Sequence, residues 1–391
     1  PRPGSFSLTL NGRRIDVQGV SPTTTLLEFL RASGLTGAKE GCAEGDCGAC
    51  TVALVDRKAG RYRAINSCIV LLPNLAGEEI ITVEGLDSWN SAGGEPAIRD
   101  VGGSGPAIPN VAGSGPAIPD VGGGGPAAVD EHGRPVPADA GVGRPGAAGI
   151  AGHSLHPVQA KMVECGGSQC GYCTPGFVMS MFAGYYGRNA SWDEELAGNL
   201  CRCTGYLPVR RAAHSLGAPS PEDPFLSKLT EPYSPPASLA YSSGGQAFYR
   251  PASLPELFEL LEAHPSARIV AGGTDLGLEV TKRFEEFPVL ISLRCVEELK
   301  AFRRTPDAWE IGAGATFSEV EAFLAGLTAG EAEELRALSD ILPLFASRQI
   351  RNAATVGGNL VNASPVGDLA PVLLSLDARV RLVRAASERT T

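Results

Sequence analysis

The sequence predicts an α+β chain of several domains, and three observations carry that reading. Eight of the ten cysteines fall into two ordered groups with different spacings. Between the groups lies a stretch whose glycine and proline content departs abruptly from the rest. Around that stretch, strand-like alternation and helical periodicity define a small sheet, then a set of helices, then a mixed α and β block. A length of 391 residues suits two or three domains, and 43% hydrophobic content allows sizeable cores.

Ser5–Leu10 alternates and runs into Asn11-Gly12, a type I′ hairpin signal, with Arg14–Val17 as the returning strand. Thr24–Ser33 reads as a short amphipathic helix stopped by Gly34. The Gly41–Cys50 loop follows, then strand-like Thr51–Val55 and, further on, Ile80–Val83. Cys42, Cys47, Cys50 and Cys68 read C-x4-C-x2-C, then 17 residues, then C. That is the plant-type spacing for a [2Fe–2S] cluster held by four thiolates. Gly41, Gly45 and Gly48 supply the permissive backbone a tight loop needs, and inward-turned N–H groups would hydrogen-bond the sulfurs. A zinc ribbon favours paired C-x2-4-C knuckles, which this spacing does not make. The region 1–87 is therefore assigned to a β-grasp, plant-type ferredoxin domain.

From 88 to 152 the composition changes. Pro-Ala recurs at Pro96, Pro106, Pro116 and Pro126, and the two cleanest copies are Gly102–Val111 and Ala112–Val121. A ten-residue period is too short for the common solenoids. So few large apolar residues cannot offset chain entropy, so this insertion is expected to be a flexible tether. Helical patterning returns over 153–216. Pro157–Glu164 is one helix; Thr174 and Pro175 open a second that runs to Gly187. Ser191 and Glu194 form a capping box for Trp192–Leu200, and Pro208–Leu216 is a further helix. This all-α module carries Cys170, Cys173, Cys201 and Cys203, as C-x2-C and C-x-C. Residues at i and i+2 do not share a helix face, so Cys201 and Cys203 belong at a helix end or turn. Spacing alone leaves iron–sulfur and zinc both open for this second set.

Residues 217–245, rich in Ser, Pro and Gly, read as a linker. The block 246–391 alternates: helix Ser253–Ala263, strand Ala267–Val270, strands Val289–Leu293, Trp309–Gly312 and Val380–Val383, and helices Ser318–Leu324, Glu331–Leu338 and Leu369–Leu376. Gly312-Ala-Gly314 is a fragment of a dinucleotide fingerprint and reads as a strand end.

A net charge of −10 and the absence of a Lys/Arg run exclude a nucleic-acid face. No apolar run reaches the ~18 residues that span a bilayer, and Pro1–Leu10 lacks a signal-peptide pattern. The chain opens on Pro1, as a processed or trimmed product would. A disulfide framework suits short secreted chains, so metal ligation and a cytoplasmic location are the expectation.

The words around the cysteines go further. EGCAEGDCGACTV, HPVQAKMVEC, GSQCGYCTPGFVMS and NLCRCTGYLPV closely resemble the molybdenum hydroxylases, in particular the xanthine dehydrogenase family. The resemblance implies a second [2Fe–2S] cluster on Cys170, Cys173, Cys201 and Cys203, nearer the molybdenum. Cys42, Cys47, Cys50 and Cys68 would hold the cluster nearer the flavin, and Gln169 would hydrogen-bond the molybdenum–pterin cofactor of a partner. Cys165 and Cys295 are left as non-ligands.

IVAGGTDLGLEV (Ile269–Val280) and LFASRQIRNAATVGGNLVNASPVGDLAP (Leu344–Pro371) resemble the same family's FAD-binding (PCMH-type) domain. By position, Ile269, Val270, Ala271, Gly272, Gly273, Thr274, Asp275 and Leu276 would meet the FAD pyrophosphate. Phe345 would pack on the isoalloxazine, and Ala346, Thr355, Gly358, Asn359, Ser364 and Asp368 would complete the FAD contacts.

Three departures stand out: the inserted tether, Gly166 where the family has His, and an end at Thr391, which implies a partial FAD domain. The resemblance thus implies an electron-transfer subunit with no catalytic acid or base of its own. It would act in a hetero-oligomer with a molybdenum-binding large subunit and pass electrons through two clusters and FAD to NAD. The alternatives are a subunit of an aldehyde- or N-heterocycle-oxidising relative, or a non-catalytic assembly module.

Overall fold

In a computed structural model of the chain, residues 4–89, 155–187, 191–364, 366–384 and 387–390 are described. The expected tether lies outside them from 90 onward, so the decapeptide repeat has no structural account.

Strands β1 (Ser5–Leu10) and β2 (Arg13–Gln18) form the N-terminal hairpin, with Asn11 at φ 52 and Gly12 at φ 84. Two successive positive φ values are what a type I′ turn requires, and Asn-Gly supplies them at least cost. Helix α1 (Leu26–Ala32) starts at Thr25, whose hydroxyl and Glu28 form a reciprocal capping box, and it buries Leu26, Leu27, Phe29 and Leu30. Strands β3 (Thr51–Asp56), β4 (Arg61–Asn66) and β5 (Glu79–Ile81) complete a five-stranded sheet in the order β2-β1-β5-β3-β4. The central β1–β5 pair is parallel and its neighbours antiparallel, which is the β-grasp arrangement expected.

Strand β3 does not alternate: Thr51 to Val55 are all buried. A strand buried on both faces reads as a continuous apolar run. One face packs under α1, and its core continues into Tyr241, Phe248, Val270, Leu276 and Leu290 of the C-terminal half. The other face, with Ala53, Val55, Tyr62 and Ala64, packs on the helical module.

That module comprises α2 (Pro157–Glu164), α3 (Thr174–Tyr185), α4 (Trp192–Leu196) and α5 (Leu207–His214). Helix α4 stops four residues before the expected Leu200, and Ser191 makes no side-chain cap bond. Gly198 and Asn199 leave the helix to contact the first cysteine loop, so tertiary bonds replace the last helical turn. The span 217–245 is not a linker throughout. Asp223 accepts from Phe225 N and caps α6 (Pro224–Thr230), which buries Phe225 and Leu229 against the helical module. Strand β6 (Leu239–Ser243) then turns at Gly244-Gly245 into β7 (Gln246–Arg250).

After α7 (Leu254–Ala263) come β8 (Arg268–Val270), α8 (Leu276–Arg283) and β9 (Val289–Ser292). They form a second sheet, β6-β7-β9-β8, in which β9 runs parallel to both neighbours. The hairpin β10 (Phe302–Arg304) and β11 (Trp309–Ile311) and helix α9 (Phe317–Ala325) follow. The expected helix 331–338 is two, α10 (Ala329–Glu334) and α11 (Arg336–Ile341), meeting at Leu335. Helices α12 (Arg348–Arg351), α13 (Val356–Asn362) and α14 (Leu369–Ser375) and the strand pair β12 (Arg381–Arg384) and β13 (Ser387–Thr390) end the described chain. No helix among the described residues is long and apolar enough to cross a membrane.

Candidate metal centres and flavin cleft

The loop before β3 is wound around its own sulfurs. Ala43 (φ 56), Gly45 (φ 89) and Gly48 (φ 66) all adopt left-handed backbone, which turns successive N–H groups inward. Cys42 N donates to Cys47 Sγ at 3.3 Å, Cys47 N to Cys42 Sγ at 3.3 Å, and Glu44 N to Cys42 Sγ at 3.5 Å. A Cβ on Gly41 would stand 2.7 Å from Cys47 Sγ, so any larger residue there would push that sulfur from its place. Cys50 and Cys68 lie together beneath it, each 2% exposed. The Cys68 thiol hydrogen-bonds Cys50 and lowers its pKa; the same bond, with burial, drives Cys68 upward. Burial also raises Cys47. The thiols lie as two pairs, Cys42 with Cys47 and Cys50 with Cys68, with Cys42 near enough to act on Cys68 and backbone donors aimed at two sulfurs, a set that can hold an anionic cluster.

The second set pairs crosswise between two chain segments. Cys173 caps the start of α3 and pairs with Cys201, while Cys170 pairs with Cys203. Burial and the Cys201 contact push Cys173 up to about 12, and the Cys170 bond raises Cys203. At Cys201, burial is outweighed by donation from Thr204, and its pKa falls. Thr204 N lies 3.4 Å and its Oγ 3.2 Å from Cys201 Sγ. Tyr206 (φ 67) accepts from Cys201 N at 3.0 Å and holds the turn. Sequence reasoning did not single out Thr204 or Tyr206, although both stand in the NLCRCTGYLPV segment. This set also fits a thiolate-held cluster, with the positive end of twelve-residue α3 facing it. Among the described residues, no three His, Cys, Asp or Glu side chains converge as a single-ion site.

The two sets differ in cover. Cys170 and Cys203 are exposed, as is Gln169 beside them. The same module exposes Val163, Leu200, Tyr206 and Leu207, the last at 64%. Cys165 closes α2 and packs into the module's core, and Cys295 is buried.

The first loop is held from both sides. Toward the helical module, Leu200 N donates to Cys47 O at 2.9 Å and Asn199 Nδ2 to Gly48 O at 3.0 Å. Gly48 and Gly176 meet so closely that a Cβ on Gly176 would overlap Gly48 O. Toward the C-terminal half, Thr281 Oγ1 donates to Ala43 O at 2.7 Å, Lys282 lies 3.6 Å from Glu44, and Ile350 abuts Gly45.

In that half the two expected flavin segments come together. Gly272 packs on the backbone of Ala353 and Ala354, and a Cβ on Gly358 would lie 3.8 Å from the Ala271 methyl. Gly273 takes φ 74 just before α8, and Thr355 caps α13, accepting from Gly358 N at 3.0 Å. Helix starts with small residues around them form a cradle that suits phosphate. Asn359 Oδ1 is buried beside Gly367 without a partner, and burial raises Asp275. These groups can accept FAD. The side chains of Val270 and Leu276 lie in the core, at 0% and 6% exposed, so any contact they make with a ligand would be through the backbone. Ile269 is partly exposed, and Thr274, Ser364 and Asp368 lie along the same loops. The Phe345 ring packs on Phe317, with centroids 4.5 Å apart, and Ala346 is held at φ 51 by Arg351, which donates to the carbonyls of both residues. A separate cavity of about 780 Å³ lies between β3–β4 and this half, and it touches only Ala271, Gly272 and Thr355 of the expected flavin residues.

Three family models match in chain order: a 2Fe-2S iron-sulfur cluster binding domain over 8–72, a [2Fe-2S] binding domain over 146–214, and the FAD binding domain in molybdopterin dehydrogenase over 241–391. Xanthine dehydrogenase from Drosophila subobscura is 30% identical over 95% of this chain and 27% of its own length. Xanthine dehydrogenase 1 from Arabidopsis thaliana is 31% identical over 96% of this chain and 28% of its own. The chain thus spans little more than a quarter of these relatives. Among solved structures, aldehyde oxidoreductase from Desulfovibrio gigas is 26% identical, with 54% of this chain and 16% of that one covered at a TM-score of 0.33, a superposition too partial to bear on the fold.

Proposed function

The chain belongs to the xanthine dehydrogenase family as an electron-transfer region with two [2Fe–2S] domains and an FAD-binding domain, and from that premise we propose that it serves a molybdenum-binding partner subunit as the route to NAD. In this reading the domains are 1–87, 153–216 and 246–391, the last preceded by β6, with 88–152 inserted. Cys170, Cys173, Cys201 and Cys203 hold the cluster nearer the partner; Cys42, Cys47, Cys50 and Cys68 hold the inner one. The cofactors supply the redox chemistry, and the chain supplies position and potential. Gln169 and the exposed apolar side chains around Cys170 and Cys203 face the partner. Xanthine is the proposed substrate of the assembled enzyme, and the cytoplasm its location.

One observation carries the proposal: the first cysteine loop is wedged between the second cysteine module and the flavin-binding half, through Leu200 N to Cys47 O on one side and Thr281 Oγ1 to Ala43 O on the other. That order in space is the order an electron would follow. The test is co-purification with a molybdenum subunit, followed by xanthine-dependent bleaching of the cluster absorbance and formation of NADH. Acid-released flavin is measured by fluorescence in parallel. Bleaching with one FAD per chain and NADH formation supports the reading. Aldehyde-driven but not xanthine-driven bleaching assigns another substrate, and a preparation with iron but no flavin and no NADH overturns the route to NAD.

A further inference from the structure

Helix α12 is four residues long, and it and the residue after it touch all three parts of the molecule. Arg348 pairs with Glu194 at 2.5 Å and Glu195 at 3.2 Å in the helical module, and with Glu321 at 2.5 Å in its own half. Asn352 Nδ2 donates to Ala64 O of β4 at 2.9 Å. Between them Gln349, 1% exposed, projects into a junction of the three parts. Its Nε2 lies 3.0 Å from Ser180 Oγ, 3.1 Å from Asn199 Oδ1 and 3.4 Å from Thr51 Oγ1. Ser180 donates to Asn199 Oδ1 at 2.6 Å, and Asn199 donates on to Gly48 O. All three partners of Gln349 are buried.

Two neighbours make this junction more than a domain contact. Gly48 lies between Cys47 and Cys50, and Asn199 lies two residues before Cys201. The amide of Asn199 therefore ties one cysteine loop to the approach of the other, and Leu200 N to Cys47 O adds a second tie alongside. Gln349 fixes which way that amide points, because it occupies the oxygen side of Asn199 and leaves the nitrogen side for Gly48. Gly198 presses from the opposite side: a Cβ there would overlap Gln349 Oε1 and stand 2.7 Å from Ser347 Cβ. The donors of this buried network are all directed, only Gln349 Oε1 being left without a partner, and such a network specifies a single arrangement; removing one member leaves its neighbours' polar atoms unsatisfied as well.

We propose that Gln349 is a positioning residue that sets the register between the two cysteine loops, so that a side chain of the flavin-binding half governs the separation between the two iron sites. The proposal rests on the two-cluster reading above. It differs from a simple docking role, which Asn352 would fill equally well: Asn352 bonds the same sheet but touches neither loop.

The experiment compares Gln349→Leu, Ser180→Ala and Asn352→Ala with the parent chain, each checked for iron, acid-labile sulfide and melting temperature. Both clusters are reduced with dithionite, and their magnetic interaction is read from low-temperature EPR splitting and relaxation, with each midpoint potential titrated. Gln349→Leu is expected to lose the splitting and shift the inner potential. Ser180→Ala, which keeps Gln349 and removes one partner, is expected to shift them less, and Asn352→Ala to lower the melting temperature without changing either. Unchanged splitting in Gln349→Leu or, should that variant not fold, in Ser180→Ala overturns the proposal, as does an equal change in Asn352→Ala. A parent chain with a single iron signal or with zinc refutes the two-cluster reading instead, which keeps the two failures apart.

Discussion

The two cysteine sets are built from similar thiols and are treated in opposite ways by the rest of the chain. The first is interior: Cys50 and Cys68 are buried, its sulfurs are met by backbone N–H groups, and folded protein lies on both flanks. The second is a surface feature, with Cys170 and Cys203 exposed, a threonine hydroxyl on Cys201, and large apolar side chains left bare around it. The difference teaches where the chain is self-sufficient. The inner site is enclosed by its own domains, and the outer one lies open at the surface, where the proposed partner would cover it.

The largest effect expected from breaking this contrast is at Gly41. Gly41→Val sets a branched side chain where even a Cβ would stand 2.7 Å from Cys47 Sγ. Overpacking of that kind costs about 1–3 kcal/mol. The expected outcome is loss of one of two reduced EPR signals, with iron falling from about four to about two per chain, and the surviving signal belonging to the outer set. Next is the outer surface itself. Leu207→Asp should leave both signals and the melting temperature in place, yet weaken partner association by tenfold or more, about 1.4 kcal/mol, as measured by titration calorimetry.

A third variant probes the wall between the regions. His156 is buried among Phe182, Tyr186 and Phe225, and its ring lies 2.8 Å from Tyr186 Oη, which donates to Asp223. Burial holds its pKa down to about 3, against 6.5 for a free imidazole. The unfolded chain therefore binds the extra proton first, so the stabilisation is complete above about pH 6.5 and is lost as pH falls toward 3. The loss is on the order of a few kcal/mol, and in His156→Gln denaturant midpoints between pH 6.5 and 4 should flatten. The smallest effect is expected for Thr204→Val. Hydrogen bonds to sulfur favour the more negative, reduced cluster. Losing about 1 kcal/mol of that preference lowers the outer potential by roughly 40 mV, while the inner potential stays fixed because its donors are backbone.

Much of this was legible in the sequence. Asn11-Gly12 and Thr174-Pro175 are local signals, and local signals determine local structure, although the cap of α3 is Cys173 rather than Thr174 and Ser191 makes no cap bond. Asp223-Pro224 and Gly244-Gly245 were equally local, yet the Ser, Pro and Gly around them masked a helix and a hairpin. What a single sequence could not disclose is which polar side chains meet across domains. Ser180 sits in an apolar helix and Thr51 in an apolar strand, where each reads as filler; only the approach of Gln349 and Asn199 turns them into a network. The same limit explains Val270 and Leu276, whose places in a ligand-like segment gave no sign that their side chains turn into the core.

The burial of Cys50 and Cys68 also bears on time. A thiol that water scarcely reaches cannot receive iron from a carrier protein once its surroundings have closed, whereas Cys170 and Cys203 stay within reach of one. The inner site must therefore be filled as the chain folds and the outer one can be filled afterwards. Chains starved of iron during synthesis and resupplied later should regain the outer signal alone; recovery of both together would show that the folded core opens to admit metal.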